Sequence, residues 1–195
     1  MEILDGNHRK WFSGQPMPKK LAGHCAIRDW DTIYVIGSPA APSNGTSVVP
    51  GSLEVFLFNI TTSTWHTLPS STNGNISGPV ARRDFACSLS PDRSQIFVSG
   101  GKKDSGTSVT DFFAFYLQSE TWWQLPSSLE PRSGHVMTLY QNYTTIIGGV
   151  NADNETLGSM ESFVKGSWVK LNEILTKRKN FRVTQVPNNF FPQNH

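Results

Sequence analysis

Hydrophobic residues along this chain come in short runs of four to eight, and turn-forming residues cut each run off. One set ends on glycine: "DTIYVIGSP", "SQIFVSGGK" and "YTTIIGGVN". A second set starts on an acidic residue and turns aromatic: "LEVFLFNI", "TDFFAFYL" and "MESFVKG". Runs of this length, rich in Val, Ile, Phe, Tyr and Thr and bounded by Gly, Pro, Asn, Asp or Ser, predict β-strands. No stretch sustains a helical period over three turns, and "LNEILTKRK" holds a short turn at most. The pattern predicts an all-β chain.

The runs recur in one order. An opening run begins near Arg or Lys and carries His or Phe: "KKLAGHCAI", "ARRDFACSL" and "PRSGHVMTL". The glycine-ended run follows, through Gly37, Gly100-Gly101 and Gly148-Gly149. A polar loop leads to the acidic run, headed by Glu54, Asp111 and Glu161, and the unit closes on Trp65, Trp122 and Trp168. The tryptophans lie 57 and 46 residues apart, a period near fifty. Such a unit is four antiparallel strands, which cannot bury both faces alone; sheets stacked around an axis can.

This order of Arg/His strand, Gly-Gly strand, acidic-aromatic strand and Trp strand with trailing Leu-Pro resembles the kelch repeat, one blade of a β-propeller. The resemblance covers nearly the whole chain. It departs at Gly37-Ser38, where the second glycine is missing, and around Lys165-Gly166, where the third unit lacks the aromatic pair. It implies a kelch-type propeller with three complete four-stranded blades, at 19–69, 79–126 and 131–171. Residues 1–18 supply the end of a preceding blade, with Glu2 and Trp11 matching the acidic and tryptophan positions. Residues 178–195 supply the first strand of an incomplete blade, with Arg178 and Phe181 as counterparts of Arg82 and Phe85. Either the two ends share one blade and close a ring, or the chain is a piece of a longer propeller, the reading preferred here. A blade lacking its second strand leaves an open edge.

The paired glycines then end the second strand, where neighbouring strands and the following loop crowd together and a Cβ is not tolerated. A phosphate cradle is the alternative, but it needs the glycines to open a helix. Here "GGKKDSG" leads to another strand.

Composition narrows the function classes. With 195 residues, 16% charged and a formal net charge of +2, the chain gives no case for nucleic acid or a membrane surface as partner. No window reaches eighteen consecutive apolar residues, so no membrane span is expected. The start "MEILDGNHRKWFSG" does not read as a signal peptide. Cys25 and Cys87 are the only cysteines, in no metal-binding spacing, and are expected to be two buried thiols packing as small hydrophobes, with a disulfide or a reactive thiol as the alternative. Asn-x-Ser/Thr sequons at Asn44, Asn59, Asn75, Asn142 and Asn154 all fall in expected turns or loops, where a glycan is tolerated. The compartment stays open between secretion and the cytoplasm.

Trp65, Trp122 and Trp168 recur with the period and are expected to pack blade on blade. Trp30 and Trp123 lie outside it and are the better candidates for surface stacking. His24 and His135 share one position of two units, which argues for structure. No nucleophile, metal or cofactor constellation emerges. Copper-radical oxidases share the propeller architecture, but that chemistry would need histidines and a tyrosine–cysteine crosslink converging at the axis.

Function on a propeller lives on its loops. The resemblance implies one face built from loops 38–52, 102–110 and 150–160 together with 70–81, 127–131 and 172–177. Beside them sit Arg82, Arg83, Arg132, Arg178, Lys102 and Lys103. If they converge they form a basic ring for an acidic peptide or anionic sugar; the alternative is solvated charge plus arginines bonding blade backbone. The expected function is a non-catalytic scaffold docking a protein or peptide. A secreted copper-oxidase-like enzyme and an extracellular adhesive glycoprotein are the alternatives.

Overall fold

The computed structural model describes residues 1–39, 51–68 and 78–184. Every regular element among them is a strand. "LNEILTKRK" holds no helical turn: the last strand ends at Leu171 and the chain then runs irregularly, with bends only.

The first blade comprises β3 (Leu21–Asp29), β4 (Thr32–Pro39), β5 (Glu54–Asn59) and β6 (Thr64–Leu68). The second comprises β7 (Ala86–Leu89), β8 (Gln95–Ser99), β9 (Phe112–Tyr116) and β10 (Thr121–Leu125). The third comprises β11 (Val136–Tyr140), β12 (Tyr143–Ile147), β13 (Met160–Val164) and β14 (Ser167–Leu171). Each is a four-stranded antiparallel sheet whose strands pair in chain order. A separate hairpin, β1 (Glu2–Asp5) with β2 (Lys10–Ser13), precedes them.

The apolar core lies between sheets. Ile36 and Val55 of the first blade meet Phe85, Ile96, Val98, Phe113, Phe115 and Trp122 of the second. The opposite face of the second blade sets Phe97, Phe112 and Ala114 against Ile146, Phe163 and Trp168 of the third. Period-two alternation explains the division: Phe112 and Phe113 are both buried, on opposite faces of one strand. Phe112 sits edge-on to Trp168 with ring centroids 4.9 Å apart.

Each blade's opening turns a left-handed corner. Gly23, Asp84, Gly134 and Asn180 hold equivalent positions, with φ of +59°, +58°, +61° and +52°. The corners join hand to hand, Gly134 N–H donating to Asp84 O at 2.7 Å and Asn180 N–H to Gly134 O at 2.8 Å. Arg178 to Phe181 thus stand beside the third blade as its own opening residues stand beside the second.

One expectation is corrected. Cys25 and Cys87 are not free thiols but form a disulfide between β3 and β7, with Cα atoms 6.1 Å apart. Their positions on the first strands of adjacent blades bring them together across a sequence separation of 62.

Candidate functional site

The basic residues flanking the loops fall into two groups. Arg82 and Arg132 are inside the protein, at 3% and 0% exposure. Arg132 donates through Nη1 to Gly148 O (2.9 Å) and through Nη2 to the carboxylate of Glu161. Arg82 repeats the arrangement, donating to Gly100 O (3.2 Å) and to Asp111 Oδ2 (3.0 Å). Each arginine therefore ties its blade's glycine carbonyl to the acidic residue that heads the third strand. In the first blade a lysine meets the acidic residue, Lys19 Nζ reaching Glu54 Oε1 at 2.8 Å. Burial lowers the Arg82 guanidinium below its ordinary pKa, and the hydrogen bond and charge of Asp111 oppose that fall. A guanidinium starts high enough to stay charged regardless.

The same arginines organise the seams. Gly101 N–H donates to Arg132 O and Gly149 N–H to Arg178 O, both at 2.9 Å, so each second glycine binds the next blade's opening arginine. A Cβ on Gly100 would lie 2.3 Å from Arg132 O, and one on Gly148 2.6 Å from Arg178 O. In the first blade Ser38 stands where that second glycine would be. Its hydroxyl donates to Arg82 O at 3.2 Å and accepts from Arg82 N–H at 2.9 Å.

What remains on the loop side is a smaller cluster. Arg83 and Lys102 exchange backbone hydrogen bonds of 3.0 and 2.8 Å, and Lys103 follows. The Arg83 side chain is 56% exposed and that of Lys103 42%; their carboxylate neighbours, Asp84 and Asp111, are each 3.9 Å away. Lys102 Nζ donates to Asn154 Oδ1 at 3.2 Å. Arg178 is exposed, donating to Thr176 O and lying over the Phe181 ring at 5.9 Å. Lys177, Lys179 and Arg182 are exposed around it and were not singled out from sequence.

Along the opening segments of the blades, His24, Cys25, Phe85, Cys87, His135, Val136, Met137 and Arg182 border an open cavity of about 430 Å³. His135 is buried with Nε2 2.7 Å from Ser99 Oγ. Burial, then the Arg132 charge, lowers its pKa to about 3, so it is neutral at physiological pH.

Tryptophans follow the repeat. Trp122 and Trp168 are buried and Trp65 is half-buried. Trp168 Nε1 donates to Pro126 O (2.9 Å) and Trp65 Nε1 to Gln15 O (3.2 Å), each reaching the segment that ends the preceding blade. Trp122 Nε1 finds no partner among the described residues. Trp30 and Trp123 are 79% and 54% exposed, with Arg93 lying 5.6 Å from the Trp30 ring centroid.

Asn142 and Asn154 are exposed in turns, and Asn59 closes β5, accepting from Thr62 N–H. Asn44 and Asn75 lie outside the described residues, as do most of the 38–52 and 70–81 loops. Among the described residues no group of three or more His, Cys, Asp or Glu side chains is placed to hold a metal ion. With both cysteines joined to each other, none remains to crosslink a tyrosine.

Comparison with known proteins agrees with this geometry. Residues 23–180 match the model of the KLHDC2/KLHL20/DRC7 Kelch-repeats domain. The chain is 30% identical over 140 residues to Kelch domain-containing protein 10 of Xenopus laevis, covering 68% of this chain and 32% of that protein. It is 28% identical over 131 residues to a Kelch domain-containing protein of Sulfurisphaera tokodaii (66% of this chain, 17% of that one). It is 29% identical over 162 residues to human Host cell factor 2 (78% and 18%). The matched region is thus about a third or less of each relative's length.

Proposed function

The chain belongs to the kelch-repeat family, and from that premise we propose that it is a non-catalytic scaffold that docks a protein or peptide on its loop face. The observation that carries the reading is the division of the basic residues. Arg82 and Arg132 are consumed inside the blades, whereas Arg83, Lys102 and Lys103 stand together at the surface with their charge only loosely offset. A planar guanidinium beside two ammonium groups suits a carboxylate-bearing segment, so the partner is an acidic peptide.

The test is binding of a fluorescent Asp/Glu-rich peptide to the whole chain, against its Lys-substituted counterpart. Reversing Arg83, Lys102 and Lys103 to Glu is expected to weaken binding at least tenfold without moving the melting temperature. Undiminished binding would remove the loop face from consideration.

A second reading draws support from the disulfide. A Cys–Cys bridge persists in oxidising compartments, and Asn142 and Asn154 are exposed sequons there for the glycosylation machinery. Glycosidase-sensitive mobility of protein from secreting cells tests it; unchanged mobility counts against it.

A further inference from the structure

The disulfide stands where the other seams carry apolar side chains at the matching positions. Cys25 is third in the opening "GHCA" and Cys87 fourth in "DFAC". The corresponding pair at the second seam is Ala86 and Met137, and beyond the third blade it is Val136 and Val183. All of them border the same open cavity. The first seam is also the one without a second glycine, so the N–H to Arg O bond of the other seams is replaced by the Ser38 hydroxyl. Here the cross-link accompanies a different set of contacts.

We propose that Cys25–Cys87 is a redox-addressed staple holding the first blade to the second, reached by small thiols through the open cavity it borders. Cys25 is half-buried and Cys87 is 8% exposed, both on the cavity wall. One thiolate attacks a cysteine sulfur and breaks the S–S bond, giving a mixed disulfide. A second thiolate displaces the remaining cysteine. The two small thiols leave as their own disulfide, and their two protons pass to Cys25 and Cys87. Two thiols then occupy the seam, and the 62-residue loop they closed is released. This inference is independent of the docking face.

The experiment uses the purified whole chain. Unfolded in denaturant without reductant, it should take up no thiol-alkylating label. Treated while folded with dithiothreitol or glutathione and then labelled, it should take up two. Reduction should lower the melting temperature by about 10 °C, the order expected for a loop of this length in a domain of this size. The double variant Cys25→Ala/Cys87→Met reproduces the second seam's side chains and should melt identically with and without thiol. Immediate labelling of the unreduced chain, or a melting temperature indifferent to reduction, would overturn the proposal. Should the variant not fold, the paired measurements on the native sequence still decide.

Discussion

Arg132 and Glu161 form an ion pair sealed inside the third blade, with side-chain exposures of 0% and 2%. The carboxylate is also bonded by Leu129 N–H at 2.7 Å, and the guanidinium by Gly148 O and Ser159 O. Such a pair is retained for what its loss would leave behind. The isolated partner would be a charge without water, costing far more than the pair itself contributes.

That asymmetry grades the third blade against the first. Arg132→Met strands Glu161 and is expected to cost about 3–5 kcal/mol. Lys19→Met removes the equivalent pair of the first blade, whose side chains are 51% and 23% exposed, and is expected to cost less than about 1 kcal/mol. Urea unfolding of the two variants measures both. Comparable losses would mean that burial does not set the value of these pairs.

The glycines give a second gradient. Gly100 and Gly106 both have positive φ, +59° and +82°. A Cβ on Gly106 meets nothing within 4 Å, whereas one on Gly100 meets Arg132 O at 2.3 Å. Gly106→Ala should therefore cost only the left-handed strain, about 1–2 kcal/mol. Gly100→Ala adds a collision between blades that backbone must move to relieve, and should cost several kcal/mol more. Thermal melts compare them, and equal shifts would refute a role for the glycine pair in the seam.

Sequence spacing alone revealed the strands, their order and the residues that recur. It did not reveal which recurring residues touch. Arg82 to Asp111 and Arg132 to Glu161 are both 29 residues apart, a constant separation that signals a contact within the blade. In the first blade the arginine position holds Leu21, the ion pair is made from Lys19 two residues earlier, and its separation of 35 from Glu54 hides the rule. Surface and interior arginines look alike in a string of letters, so Arg82 and Arg132 were grouped with Arg83. The cysteines read as thiols because neither lies in a CxxC or Cys/His spacing. Laying the openings side by side puts them one position apart on the first strands of neighbouring blades, which is the signal that pairs them.

His135 makes stability depend on pH. Unfolded, the imidazole binds a proton below its ordinary value of 6.5; folded, it stays neutral down to about 3. Between those values the unfolded chain holds more protons, so stability is full above pH 6.5 and falls as pH drops, by about 1.4 kcal/mol per unit at most. Acidification titrates carboxylates too, so the comparison is with His135→Phe, the residue that Phe85 and Phe181 already place in this position. That variant should lose the part of the slope worth one proton between pH 6.5 and 5. Unfolding free energies across that range, with parallel curves for both proteins, would rule the histidine out as the cause.

Two indoles, Trp168 and Trp123, should behave in opposite ways. Trp168 is buried against Phe112 and Phe163, and its Nε1–H is satisfied by Pro126 O across the seam. Trp168→Phe keeps much of the apolar contact but leaves that carbonyl unanswered, for about 1–2 kcal/mol. Trp168→Ala also opens a cavity between blades and should cost about 3–5 kcal/mol. Trp123 follows Trp122 on β10, points the other way and is 54% exposed, its ring partner Tyr116 being 6.2 Å distant. Trp123→Ala should stay within about 1 kcal/mol. Denaturant midpoints for the three variants separate a residue that joins sheets from one that solvent already surrounds. If Trp123→Ala proved as damaging as Trp168→Ala, the packing of sheet upon sheet would not be what the repeating tryptophan serves.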